Sequence, residues 1–184
     1  MKKKADASNK TEKFLEHKRL MKKGTDEKSG AECYMLYARA LNIAWSGNSE
    51  YWTWNCYKET DKENFEVAKL RKVCWLDVSG KLEMSELSPG IVYDIFYVVK
   101  LTKGASAGWE LPITLRLSFP DEKRVLCRQL SLLMKPRGEW IELNVGSFQT
   151  EKGKTGEVCF GLCDHRGHWK RGLIIKGAII RARN

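Results

Sequence analysis

Residues 111–119, Leu-Pro-Ile-Thr-Leu-Arg-Leu-Ser-Phe, alternate apolar and polar side chains and stop at Pro120. A period of two is what a β-strand with one buried and one wet face requires, because successive side chains leave the backbone on opposite sides. The alternation recurs in residues 140–145, Trp-Ile-Glu-Leu-Asn-Val, and further strand candidates lie at 40–45, 73–78, 81–84, 91–101, 125–133, 157–163 and 173–181. Ser79-Gly80, between two of these runs, predicts a two-residue hairpin turn. From residue 31 onward no long segment keeps a helical stripe. About nine short strands at close spacing predict an all-β domain, a β-sandwich or jelly roll.

The chain has 184 residues, enough for one sizeable core and too few for two large domains. No run approaches the roughly 18 consecutive apolar residues of a membrane-spanning helix. The lysines at positions 2–4 are followed by polar residues rather than the apolar stretch of a secretory signal, which argues for a protein made and kept in the cytosol.

Thirty-three Lys and Arg against 23 Asp and Glu give a formal net charge of +10. This charge is uneven: +5 in residues 1–30, −1 in 31–151 and +6 in 152–184. After Met1 the first 30 residues hold few large apolar side chains, only Phe14, Leu15, Leu20 and Met21. They are read as a basic, disordered tail with a frayed helix at residues 11–23, ahead of a domain spanning residues 31–184. The run Lys18-Arg19-Leu20-Met21-Lys22-Lys23 suits either a nuclear import signal or a solvated charged face.

Six cysteines lack the paired spacing of a structural zinc site. Cys159, Cys163, His165 and His168 form only a superficial metal cluster, since a second ligand pair is missing. Free thiols are the expectation, with no metal and no cofactor.

Three of the seven tryptophans fall within ten residues, in Ile43-Ala44-Trp45-Ser46-Gly47-Asn48-Ser49-Glu50-Tyr51-Trp52-Thr53-Trp54. The polar insert at 46–49 turns the chain and brings Trp45 and Trp52 toward one rim. Two readings follow. The rings can form an apolar platform for the C–H face of a pyranose, with neighbouring polar groups binding its hydroxyls. Alternatively they are core, with Trp52 and Trp54, which share strand parity, both pointing inward.

The run from Asn42 to Trp54, residues 65–81 (Phe-Glu-Val-Ala-Lys-Leu-Arg-Lys-Val-Cys-Trp-Leu-Asp-Val-Ser-Gly-Lys), 138–143 and 170–177 together resemble the phloem protein 2 family of plant lectins, which carry a Nictaba-like domain. The resemblance covers about residues 38–184. It implies a non-enzymatic lectin of plant cytosol, nucleus and phloem sap, on a β-sandwich like those of carbohydrate-binding modules. The implied ligands are N-acetylglucosamine oligomers and N-glycan cores. Carried over motif by motif, its sugar-binding residues fall on Trp45, Trp52, Glu157 and Asp164. Expected partners are GlcNAc-containing oligosaccharides and glycoproteins, other phloem proteins through cysteine cross-links, a second copy of the chain, and RNA as the alternative ligand.

Glu157 and Asp164 are seven residues apart, so on an unbroken strand they stand on opposite faces and roughly 23 Å from each other. Joint contact with one sugar requires a bend. A glycosidase reading of this pair needs carboxyls about 5–9.5 Å apart, and no nucleophile motif accompanies the histidines. The basic ends favour phosphate, yet no RNA-binding signature is present.

Overall fold

The computed structural model describes residues 20–60, 63–105, 108–121, 123 and 125–184, excluding the side chains of 58–64. Its strands are β1 (Met21–Thr25), β2 (Glu32–Tyr37), β3 (Asn42–Ile43), β4 (Trp52–Thr60), β5 (Glu63–Leu70) and β6 (Leu76–Glu83). They continue with β7 (Val92–Leu101), β8 (Ile113–Ser118), β9 (Val125–Leu130), β10 (Trp140–Gln149), β11 (Glu157–Asp164) and β12 (Leu173–Ala182).

These strands form two antiparallel sheets, one of seven strands and one of five in the order β3-β6-β11-β8-β9. In the larger sheet β12 pairs with β7 on one side and with β5 and β2 on the other, while β10 pairs with β7. The sequence alternation sets the packing. Leu115, Leu117, Val158, Phe160 and Leu162 of the small sheet are buried against Tyr93, Ile95, Tyr97, Ile175 and Ile180 of the large one, in a single apolar core. Tyr97 bridges the layers, its hydroxyl donating to the Phe160 carbonyl at 2.9 Å. The protein is an all-β sandwich.

Three expectations need correction. Ser79-Gly80 is no turn but the middle of β6, running antiparallel to β11 with Ser79 opposite Gly161. A side chain at Gly80 would overlap the Phe160 ring and approach Leu41 within 2.8 Å, so the glycine provides room for the core. The tail reading fails over residues 21–25, which form the exposed edge strand β1 along β2. Where the frayed helix at 11–23 overlaps β1 the chain is extended; residues 1–19 lie outside the described residues. The hairpin of β4 and β5 was not among the expected strands. Its inward positions, Trp52, Ala68 and Leu70, are buried in the core, Phe65 and Val67 are buried on the opposite face in a separate cluster with Tyr37, and charged and polar residues interrupt the alternation.

The connections gather at two ends of the sandwich. Loops 44–51, 71–75, 102–112, 131–139 and 165–172 meet at one, called here the aromatic end. Loops 26–31, 84–91, 119–124 and 150–156 meet at the other.

Candidate functional site

The aromatic end is built around Trp45. Its ring is 58% exposed, and its backbone has φ +67°, the one positive φ outside glycine among the described residues. A left-handed conformation costs a bulky residue on the order of 1–3 kcal/mol unless its surroundings enforce it. Here two indoles do so. The ring N–H of Trp52 donates to the Ala44 carbonyl and that of Trp54 to the Ser46 carbonyl, both at 3.1 Å. Their shared parity on β4 matches alternate carbonyls of the turn. Trp54 is covered in turn by the Arg39 guanidinium, 3.6 Å from its centroid, and Glu66 fixes Arg39 at 2.6 Å. Tyr51 meets the Trp45 ring edge-on at 5.9 Å.

Trp52 therefore has a different place from the platform expected of it. At 2% exposure it has no free face for a ligand; it supports the turn that presents Trp45. Of the two readings of these rings, core applies to Trp52 and exposed platform geometry to Trp45.

A second aromatic group stands beside it. The backbone N–H of Ala44 donates to the Asp77 carbonyl at 2.9 Å, which binds the Trp45 turn to the start of β6. Trp75, just before that strand, is 49% exposed. It stacks on the His165 ring with centroids 3.6 Å apart and planes within 2°. The Nε2 of His165 lies 2.7 Å from an Asp77 carboxylate oxygen. An open indole, an imidazole and a solvent-accessible carboxylate are thus held together by residues 88 positions apart. Sequence reasoning did not find this group. Its signal was Asp77 at an outward position of a strand whose alternate residues are buried.

Asp164 ends β11 at the same end, but its carboxylate is internal. Arg166 contacts Oδ1 at 2.8 Å and Oδ2 at 3.0 Å, and its backbone N–H also donates to Oδ1. Burial pushes the Asp164 carboxyl up, yet the Arg166 hydrogen bonds and the charges of Lys170 and Arg166 outweigh it and hold the group below the usual aspartate range. Lys170 is fully buried and donates to the carbonyls of Cys74, Arg166 and His168 at 2.6, 3.0 and 3.1 Å. Burial lowers its pKa against the attraction of Asp164. The pair thus fastens loop 165–172 to loop 71–75, and neither Asp164 oxygen is left for a sugar hydroxyl.

Glu157 sits at the far end of the molecule. β11 runs unbroken from Glu157 to Asp164, so the bend that would unite them is absent and they stay roughly 23 Å apart. Glu157 is exposed and pairs with Lys81 at 3.3 Å. The structure thus gathers Trp45, Trp52 and Asp164 at one end and places Glu157 at the other.

All six cysteines are free thiols. Cys56 and Cys127 are exposed, and burial pushes the Cys163 thiol up. Among the described residues no three metal-ligating side chains gather; His168 turns its Nε2 to the Gly108 carbonyl at 3.0 Å.

Sheet order and braced aromatic loops define the class: a two-sheet antiparallel β-sandwich that presents a rigid aromatic rim on its connecting loops. The chain belongs to the phloem protein 2 family, whose model matches residues 31–182. It is 42% identical to the Arabidopsis thaliana protein PHLOEM PROTEIN 2-LIKE A1 over 91% of this chain and 68% of that protein. A lectin of Luffa acutangula is 42% identical over 85% of this chain and 73% of its own length. Among solved structures, the CBM22-1 xylan-binding domain of Paenibacillus barcinonensis Xyn10C aligns with 79% of this chain and 87% of its own, at a TM-score of 0.43 and 14% identity.

Proposed function

We propose that the protein is a non-enzymatic lectin that binds N-acetylglucosamine oligomers and N-glycan cores at its aromatic end. The observation that carries this reading is Trp45, an open indole face fixed in a costly backbone conformation by the buried indole of Trp52 and the half-buried indole of Trp54. Strain of that kind persists where the surrounding structure enforces it, and it clusters at binding sites. The apolar face of a pyranose stacks on such a ring, and the Asp77 carboxylate and His165 beside it offer partners for ring hydroxyls. The choice of N-acetylglucosamine rests on the family, whose members include the Luffa lectin. The separation of Glu157 from Asp164 supports binding without hydrolysis, because a glycosidase pair stands about 5–9.5 Å apart.

Titration calorimetry with chitotriose tests the site. The expected affinity is micromolar or weaker, since an open, wet site recovers little free energy per atom. Trp45→Ala lowers it at least about tenfold, roughly 1.4 kcal/mol. Trp52→Phe, which keeps a ring but removes the donor to Ala44, weakens binding by a smaller factor by loosening the Trp45 turn. Wild-type affinity in Trp45→Ala would place the ligand elsewhere.

A further inference from the structure

We propose that the aromatic end is also a docking surface for an anionic phospholipid bilayer, approached end-on. The exposed apolar side chains are distributed very unevenly. Trp45, Trp75, Leu111, Leu133, Met134 and Trp169 all lie on loops of this end, and no large exposed apolar residue lies on the described loops of the other. They follow the strand order of the small sheet: Trp45 after β3, Trp75 before β6, Trp169 in the loop after β11, Leu111 before β8, and Leu133 with Met134 after β9. Five strands spaced about 4.8 Å apart make this a row about 19 Å long, suited to a planar partner.

The row is rigid. Met134 is 89% exposed at the tip of its loop, and Arg137 braces that loop from beneath. Its guanidinium donates to the carbonyls of Lys135, Leu132 and Ala105 at 2.6, 3.0 and 3.0 Å. Trp109 donates its ring N–H to Arg171 and Arg166 reaches Pro112, which ties loops 102–112 and 165–172 together. A fixed, exposed methionine and leucine gain nothing from water, and burying them in an acyl layer requires no further ordering. Tryptophan is the side chain that favours the interface between headgroups and acyl chains.

Charge selects the kind of bilayer. Loops 44–51, 71–75, 102–112, 131–139 and 165–172 contain eight Lys or Arg and three Glu, whereas loops 26–31, 84–91, 119–124 and 150–156 contain five Lys or Arg and six Asp or Glu. Beside the row is a hollow of about 620 Å³ whose lining includes Lys69, Arg71, Lys103 and Arg171, together with Thr53 and Asn55, and no carboxylate. Among the described residues none of these four cations is ion-paired; Arg71 donates to the Ser49 carbonyl. A lipid phosphate or carboxylate fits this hollow while the neighbouring apolar side chains enter the headgroup layer. The surface shares Trp45 and Trp75 with the proposed sugar site, whereas Leu133, Met134, Lys103 and Arg171, the positions that test it, lie outside that site.

Co-sedimentation with vesicles tests the proposal, using phosphatidylcholine alone and with roughly 30% phosphatidylserine to set a negative surface potential. The full chain is expected to bind mixed vesicles at least about tenfold more tightly than neutral ones, with a steep salt dependence. Leu133→Asp with Met134→Asp lowers that binding about tenfold or more, with chitotriose affinity and melting temperature unchanged. Lys103→Glu with Arg171→Glu lowers it similarly and flattens the salt dependence. Equal binding to both vesicle types, or to neither, overturns the proposal. Binding that falls in the charge variant but not in the Leu133/Met134 variant, or that millimolar inorganic phosphate or RNA abolishes in that same pattern, marks a plain polyanion site and also overturns it.

Discussion

The two ends of the sandwich are closed by the same strands yet stabilised differently. Among the described residues the buried polar or charged ones are Asp164 and Lys170 at the aromatic end and Thr150 at the other. Thr150 holds its loops with a neutral hydroxyl, which lies 2.6 Å from the Ser88 carbonyl and accepts the Ile91 N–H at 3.0 Å. The aromatic end instead buries an ammonium and a carboxylate, 3.9 Å apart, each satisfied by the loops it fastens. A buried charge is expensive unless every partner is in place. The chain accepts this cost where the loops must hold exposed tryptophans still and avoids it where the loops only reverse the chain. Rigidity at the aromatic end is therefore a property of its buried polar groups as much as of its core.

The largest effect that separates the ends is expected from Lys170→Met. It leaves the carbonyls of Cys74, Arg166 and His168 without their donor and the buried Asp164 carboxylate without its ammonium, which costs about 3–5 kcal/mol. Urea unfolding should register this as a drop in midpoint, and near-ultraviolet circular dichroism should show the aromatic signal weakening. Thr150→Val at the opposite end costs about 1–2 kcal/mol and leaves the aromatic signal intact. Equal losses with identical spectra would show that the ends do not differ in how they are held.

Acid sharpens the same contrast. The Asp164 carboxyl is held below its ordinary value in the folded protein, so the unfolded chain binds its proton first. The stability it contributes is whole above about pH 4 and is lost as pH falls through the lowered folded value. Thr150 does not titrate. Stability measured from pH 5 to pH 2 should fall less steeply in Asp164→Asn than in the wild type, and parallel curves would assign the acid response to other groups.

Much of this fold was legible from the period-two pattern, because strands such as 111–119 bury one face and leave the other wet. The errors have separate physical causes. Gly80 looked like a turn residue because the sequence does not reveal that the Phe160 ring occupies the space its side chain would need. The β4 and β5 hairpin was missed because its alternation is interrupted by charged residues. At the site, Trp45 and Trp52 were legible as a pair, and strand parity named the alternatives without choosing between them. Burial separated them, with one ring displayed and the other donating to the turn. The stack of Trp75 on His165 was not legible, since it joins distant segments through the register of β6 with β11.

The smallest expected effect is also the sharpest test of where the ligand lies. Glu157 is exposed and its contact with Lys81 is a surface ion pair, which is worth at most about 0.5 kcal/mol after solvent screening. Glu157→Ala should therefore leave the urea midpoint within error of the wild type. Its distance from Trp45 along the full length of β11 gives it no part in a ligand held at the aromatic end, so chitotriose affinity should change less than about twofold. A large loss of affinity with unchanged stability would mean that the ligand lies along the outer face of the five-stranded sheet, spanning both ends. In that geometry Asp77, Cys163 and Thr114 would line its path, since they occupy adjacent outward positions on β6, β11 and β8. Thr114→Val would then weaken binding as well, whereas a site confined to the Trp45 rim leaves Thr114→Val and Glu157→Ala equally silent.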